Sequence, residues 1–193
     1  MVRSRAIPAP PLLQPGELRR FSEEHLQYEV VVFFAAVRGA TNVPSSRTTT
    51  TTSPMTTTVD ETMSASFEPL DSFWANARVE VFQSHLRNLI MFLYPDVYAP
   101  RPDDVVAHHF IKGLDAYSRW LESRGPLSPS LVNAKKRADK ELAHLTAKRV
   151  YGRPPAKEWD MPGLAQELKE LLTQFVLAAD PATDSDKLRA AIG

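Results

Sequence analysis

Residues 71–94 read DSFWANARVEVFQSHLRNLIMFLY, and the fold class follows most directly from this stretch. At about 100° per residue, its large apolar side chains fall within one arc of a helix, which predicts an amphipathic helix. Asp71 is a favourable N-cap, and Pro95 is expected to stop the helix after Tyr94. The predicted apolar arc comprises Trp74, Ala77, Val81, Phe82, Leu89, Phe92 and Leu93.

Other stretches of the chain also carry helical signals. Gly39 follows a charged and then apolar segment, and we expect it to cap the C-terminus of that first helix. Ser128 and Pro129 are typical of an N-cap and a first helical position, and they predict the start of a long basic helix. An apolar stripe with helical spacing predicts the last helix. The predicted helices, besides 71–94, cover residues 16–37, 103–113, 114–123, 128–151 and 162–176.

The remaining segments have the composition of irregular structure. Residues 1–15 contain four prolines and predict an extended arm. Residues 39–70 include five consecutive threonines and predict a long disordered Thr-rich insertion, since such a tract buries little apolar surface. A polar tail is expected at residues 181–193. No run alternates as a hairpin would, so we predict an all-α fold, a four- to five-helix bundle formed by residues 16–180.

The composition excludes several classes of function. The 193 residues include 23 basic and 23 acidic side chains and no cysteine, which excludes thiolate metal sites and cysteine nucleophiles. The longest apolar run, Val30 to Val37, has eight residues, too few to cross a membrane, and we expect a cytoplasmic protein. The seven glycines are scattered singly and form no phosphate-binding loop. We therefore expect neither a cofactor nor a metal.

The most informative segment is a basic stretch of the predicted helix 128–151. Seven basic and two acidic residues lie between positions 131 and 153, in a chain with no net charge. Arg137 and His144 are seven residues apart and therefore share one polar face of the helix. A guanidinium can hold a scissile phosphate while an imidazole moves a proton of the ribose, so this pair is a candidate for metal-independent RNA cleavage. The alternative is a solvated basic face on which His144 has no role. The RNA-binding candidates are Lys140, Lys148 and Arg149.

The Arg137-x6-His144 spacing, on a helix of an all-α bundle, resembles the signature of the higher-eukaryote and prokaryote nucleotide-binding (HEPN) domain family. This resemblance implies a homodimer whose two signature helices meet at a cleft. It also implies RNA cleavage without a metal and a role as a toxin or in phage defence. Arg137 and His144 would then be the catalytic pair, and an antitoxin could be a partner. Other segments resemble uncharacterised bacterial helical proteins.

A second pair with the same spacing, Arg78 and His85, lies within the apolar arc of helix 71–94. Polar side chains on such a face must be paired, lie in a polar crevice or face another chain. We expect a buried polar network with the first helix, and a functional pocket that includes Asn88 is the alternative. The partners considered on the first helix are Glu24, His25 and Glu29.

Two functions of different classes remain open from the sequence. The first is a dimeric HEPN-like protein that binds or cleaves RNA. The second is a non-enzymatic helical scaffold, or protein-interaction module, in which the histidines have no catalytic role.

Overall fold

The structure is a computed structural model that describes residues 13–41, 68–143 and 158–193. Its regular structure in these ranges consists of helices alone, so the predicted all-α bundle is confirmed. None of the helices within the described ranges is long and apolar enough to cross a bilayer. Most of the predicted arm, most of the predicted Thr-rich insertion and residues 144–157 lie outside the described residues.

The helices follow one another in the order that the sequence predicts. A π-helical turn joins the first two, and a short 3-10 helix precedes the fourth. The bounds are α1 Pro15–Phe21, π turn Ser22–Leu26, α2 Gln27–Thr41, α3 Glu68–Leu93, 3-10 helix Ala107–Phe110, α4 Leu114–Arg124, α5 Pro129–Ala143, α6 Met161–Ala178 and α7 Asp186–Ile192.

The predicted first helix is present as α1 and α2, but its C-terminus differs from the prediction. The helix begins at Pro15, whose fixed φ suits a first helical position. Gly39 does not cap it, because α2 continues to Thr41. A Cβ at Gly39 would lie 2.9 Å from Nε of Arg78, so this glycine leaves room for the Arg78 guanidinium of α3.

Helix α3 matches the predicted helix 71–94, with two corrections. It begins at Glu68, so Asp71 is not its N-cap. Trp74 and Val81 were expected in the core but are 62% and 38% exposed. The part of α3 that faces the core is shorter than predicted, since its buried side chains, among those described, begin at Phe82, which stacks on Phe33 of α2. The buried side chains of α3 are Phe82, Gln83, Leu86, Leu89, Ile90, Phe92 and Leu93.

The remaining predicted helices are matched to different extents, and the predicted end of the helix 128–151 lies outside the described residues. Helix α4 covers the predicted helix 114–123, while the predicted helix 103–113 is reduced to the 3-10 helix. Ser128 caps α5 as predicted, since its Oγ accepts a hydrogen bond from the backbone N–H of Leu131. The six apolar residues that form the stripe of the predicted last helix are all buried in α6: Leu164, Leu168, Leu171, Leu172, Phe175 and Val176.

Aromatic side chains from four helices and the 3-10 helix form the centre of the core. The Phe175 ring of α6 lies edge-on to Phe92 of α3, with ring centroids 5.1 Å apart. It also contacts Phe110 and Trp120, which are fully buried. At the other end of α3, the Phe82 ring stacks on Phe33 of α2. Because these contacts join α2, α3, α4 and α6, they fix the position of α3 at the centre of the bundle.

The prediction of a polar tail at residues 181–193 is wrong. Ser185 caps α7 by accepting a hydrogen bond from the backbone N–H of Leu188, whose side chain is fully buried. Ile192 is also buried, and α7 packs against α2 and α6. Burying such a side chain stabilises the fold by about 2 kcal/mol, which offsets the polar composition of the segment.

Candidate nucleic-acid interface

Helix α5 carries the two described residues of the predicted RNA site, Arg137 and Lys140. Leu131, Ala134 and Ala138 are buried against the bundle at helical spacing, and this places the polar side chains of α5 on its sides and its outer face. On the sides, Asp139 and Arg137 bond to groups of other elements, whereas within the described residues no carboxylate pairs with the charges of the outer face.

Arg137 lies at the junction between α5 and the start of α6. Its Nε donates a hydrogen bond to Oε1 of Glu141 over 2.6 Å, and its Nη1 donates to the carbonyl of Glu158 over 2.7 Å. The guanidinium carbon lies 4.3 Å from the ring centroid of Trp159. The side chain is 28% exposed. These contacts hold the guanidinium in one orientation but leave part of it in solvent.

Glu141 links this junction to α3. Its second carboxylate oxygen accepts a hydrogen bond from Nε2 of Gln83, which is buried. The carboxylate therefore joins Arg137 of its own helix to a side chain of the neighbouring helix. The charge of Arg137 is balanced at this point, although the sequence predicted a cationic surface there.

The other side of α5 carries a second charged cluster. Asp139 accepts a hydrogen bond from Nε of Arg87 over 2.7 Å and one from Nζ of Lys135 over 2.6 Å. Burial raises the pKa of Asp139, but the hydrogen bonds from Lys135 and Arg87 outweigh it and hold the pKa below its ordinary value. The carboxylate is therefore ionised at neutral pH, and two cations share it.

The outer face of α5 presents Lys136 and Lys140. Both are exposed, and in the described part of the chain no carboxylate pairs with either of them. Within the described residues, Lys135 and Arg137 do not contribute unpaired charge to the basic patch, because the carboxylates of Asp139 and Glu141 engage them. The unpaired positive charge of α5 is concentrated at these two lysines.

Three predicted site residues, His144, Lys148 and Arg149, lie outside the described residues. The structure therefore gives the surroundings of Arg137 and Lys140, and the juxtaposition of Arg137 with His144 stays a prediction.

The second predicted group, on α3, contacts the first helix as expected. Nδ1 of His85 lies 2.7 Å from Oε2 of Glu29, and Nδ2 of Asn88 donates to the same carboxylate over about 3.3 Å. The ring of Tyr28 lies 5.8 Å from that of His85. Arg78 lies nearer the N-terminus of α3, where its side chain is beside Gly39 of α2. The structure thus places His85 and Asn88 in a polar network around Glu29.

Three neighbours of the site, Arg87, Gln83 and Trp159, were not among the residues predicted from the sequence. Arg87 of α3 pairs with Asp139 of α5. The acidic residues between the basic residues of α5 are the one sequence signal that could have indicated such pairs. Among the described residues, no group of three His, Asp or Glu side chains could hold a metal ion.

No protein-family model matches the chain, and neither a curated protein nor a solved structure matches it. The resemblance to the HEPN family therefore rests on the sequence pattern of Arg137 and His144.

Proposed function

We propose that the protein is a HEPN-like helical protein that binds RNA along the outer face of α5. The observation that carries this proposal is the pair of exposed lysines, Lys136 and Lys140, on a helix whose other cations are neutralised locally. Lysines that lack a protein carboxylate partner are available to the phosphates of an RNA backbone.

The arrangement around α5 supports this proposal in a second way. Because successive residues are about 100° apart, Lys136 and Lys140 lie between the side that carries Asp139 and the side that carries Arg137. The paired cations on both sides fix the position of the helix, so the lysines are presented by a rigid element. An RNA strand lying along α5 would also meet the exposed part of Arg137.

The binding prediction concerns both lysines. We expect the double variant Lys136→Ala/Lys140→Ala to bind single-stranded RNA more weakly, with a salt slope of log K that is shallower by about 0.7 for each lysine. Fluorescence anisotropy with a labelled RNA at several salt concentrations measures both quantities. The matched control is Lys112→Ala/Lys187→Ala, which removes the same charge from exposed positions elsewhere. Equal losses in the two double variants would contradict a site on α5.

Cleavage is a separate prediction, made from Arg137 and His144. We expect the wild-type chain to cleave RNA slowly in the presence of a chelator. We expect His144→Ala to abolish cleavage but to change RNA affinity by no more than about twofold, since the imidazole transfers a proton and does not contribute to binding. Electrophoresis of labelled RNA after incubation with the wild-type chain or with His144→Ala measures the cleavage. If the wild-type chain binds RNA but leaves it intact, the protein is an RNA-binding protein and not a nuclease.

A second candidate function is self-association as a helical interaction module. It is favoured by an exposed stripe along the α2–α3 seam, in which Tyr28 is 56%, Trp74 62% and Val81 38% exposed. Glu29 lies at one end of the seam and Arg78 at the other, so a second copy in antiparallel orientation would place opposite charges against each other. A homodimer formed through this stripe would differ from the one that the HEPN resemblance implies, in which the two signature helices meet at a cleft.

The self-association prediction is tested by light scattering after gel filtration. We expect the wild-type chain to be a dimer and Val81→Glu to be a monomer with unchanged helical circular dichroism, because a buried unpaired carboxylate disfavours the interface. Leu177→Glu is the control, since Leu177 is 75% exposed on α6. A monomeric wild-type chain, or equal dissociation of the control, would contradict the stripe as the interface.

A further inference from the structure

Two adjoining cavities form a groove between the C-terminal half of α3, the loop that follows it and α5. Their volumes are about 280 Å³ and 640 Å³. Arg87, Met91 and Tyr98 line both cavities, so the two form a continuous groove. The larger volume is within the range of pockets that bind small molecules.

The charges that line the groove favour an anionic group. Three cationic side chains face two carboxylates: Arg87, Lys135 and Arg101 against Asp139 and Asp104. The backbone N–H of Arg101 donates a hydrogen bond to Asp104, while in the described part of the chain the Arg101 side chain forms no ion pair. The groove therefore has a surplus of positive charge.

Arg87 retains donors for a ligand. Its Nε is engaged by Asp139, whereas its terminal nitrogens donate to no acceptor among the described residues. The side chain is 41% exposed and lies at the boundary of the two cavities. Two terminal N–H groups of one guanidinium match the spacing of two phosphate oxygens.

The groove also offers an apolar surface next to these donors. Met91 and Tyr98 line both cavities, and Leu142 lines the larger one. The ammonium of Lys135 lies 4.3 Å from the ring centroid of Tyr98, and this contact holds the ring in place. A flat aromatic group of a ligand can pack against such a fixed ring beside a flexible methionine.

We propose that this groove binds a single nucleotide unit, with its phosphate on Arg87 and Arg101 and its base against Met91 and Tyr98. One source of the nucleotide is the phosphorylated end of an RNA strand. For this source the inference rests on the proposed RNA binding, which it deepens. A free nucleoside monophosphate has the same chemistry and is the other source.

The first test titrates the full chain with adenosine monophosphate, adenosine and inorganic phosphate by calorimetry. We expect the monophosphate to bind and adenosine to bind at least about tenfold more weakly, because the phosphate contacts are lost. We expect Arg87→Gln and Arg101→Gln each to weaken binding by about tenfold. Arg101→Gln is included because it leaves the Arg87–Asp139 ion pair intact, and Arg119→Gln, an exposed arginine of α4, is the control.

The second test separates the groove from the proposed function with two RNAs that differ only in a 5′-phosphate or 5′-hydroxyl. A preference for the phosphorylated RNA that Arg101→Gln abolishes would support the groove as the site for an RNA end. Binding of the monophosphate with no binding of either RNA would support the groove and contradict RNA binding. If RNA binding depends on Lys136 and Lys140 while neither arginine variant changes the binding of RNA or monophosphate, the groove proposal is wrong and RNA binding stands.

Discussion

His108 and His109 are adjacent histidines whose rings pack edge to face in the 3-10 helix, with centroids 4.2 Å apart. Burial lowers the pKa of both, and the neighbouring charge of His108 lowers that of His109 further, to about 4. Nδ1 of His109 accepts a hydrogen bond from the backbone N–H of Val106, which the neutral ring can do. Both imidazoles are therefore neutral at pH 7.

This burial predicts a loss of stability in acid. The pKa of His109 is lower in the folded chain than the ordinary value of 6.5, so the unfolded chain binds more protons between pH 6.5 and about 4. The free energy of unfolding should fall through this window, by up to about 3 kcal/mol, since each pKa unit corresponds to about 1.4 kcal/mol. Urea unfolding at a series of pH values measures it.

The matched variants for this prediction are His109→Gln and His25→Gln. The glutamine at position 109 keeps an acceptor for the backbone N–H of Val106 but does not titrate, so its stability should depend less on pH. His25 is exposed, so the control should follow the wild-type curve. Parallel pH profiles for the wild-type chain and His109→Gln would contradict the assignment.

Helix α5 shows which parts of the candidate site the sequence could predict. The start at Pro129 and the pair Arg137–Glu141 follow from local rules, a cap and an i,i+4 spacing. The pair Arg87–Asp139 joins residues that are 52 positions apart. Nothing in the periodicity of either helix specifies which side faces the other, so this cross-helix pair could not be predicted.

Helices α6 and α7 show the same limit of sequence-based prediction at the scale of whole elements. Helix α6 was predictable because six apolar residues repeat over five turns, whereas α7 has seven residues and only Leu188 and Ile192 as buried anchors. Two apolar residues in a charged segment do not distinguish a docked helix from a polar tail. The all-α class can be predicted from the long apolar stripes. The packing of short helices depends on contacts between residues that are distant in sequence.

At the level of the whole molecule, the chain has no net charge, with 23 basic and 23 acidic side chains. Long-range attraction to RNA is therefore weak, and binding must depend on a local cluster of unpaired cations. Within the described residues, that cluster comprises Lys136 and Lys140 on the outer face of α5 and, in the neighbouring groove, Arg101. RNA binding by this protein should consequently be modest in affinity and strongly dependent on salt.

The most direct test of RNA binding is the equilibrium affinity of the full wild-type chain for a short single-stranded RNA at low and at physiological salt. The proposal predicts saturable binding at low salt that weakens linearly in log K against log salt concentration, with a slope that corresponds to two or more phosphate contacts, about −1.4 or steeper. Absence of binding at low salt, or an affinity that does not change with salt, would contradict it.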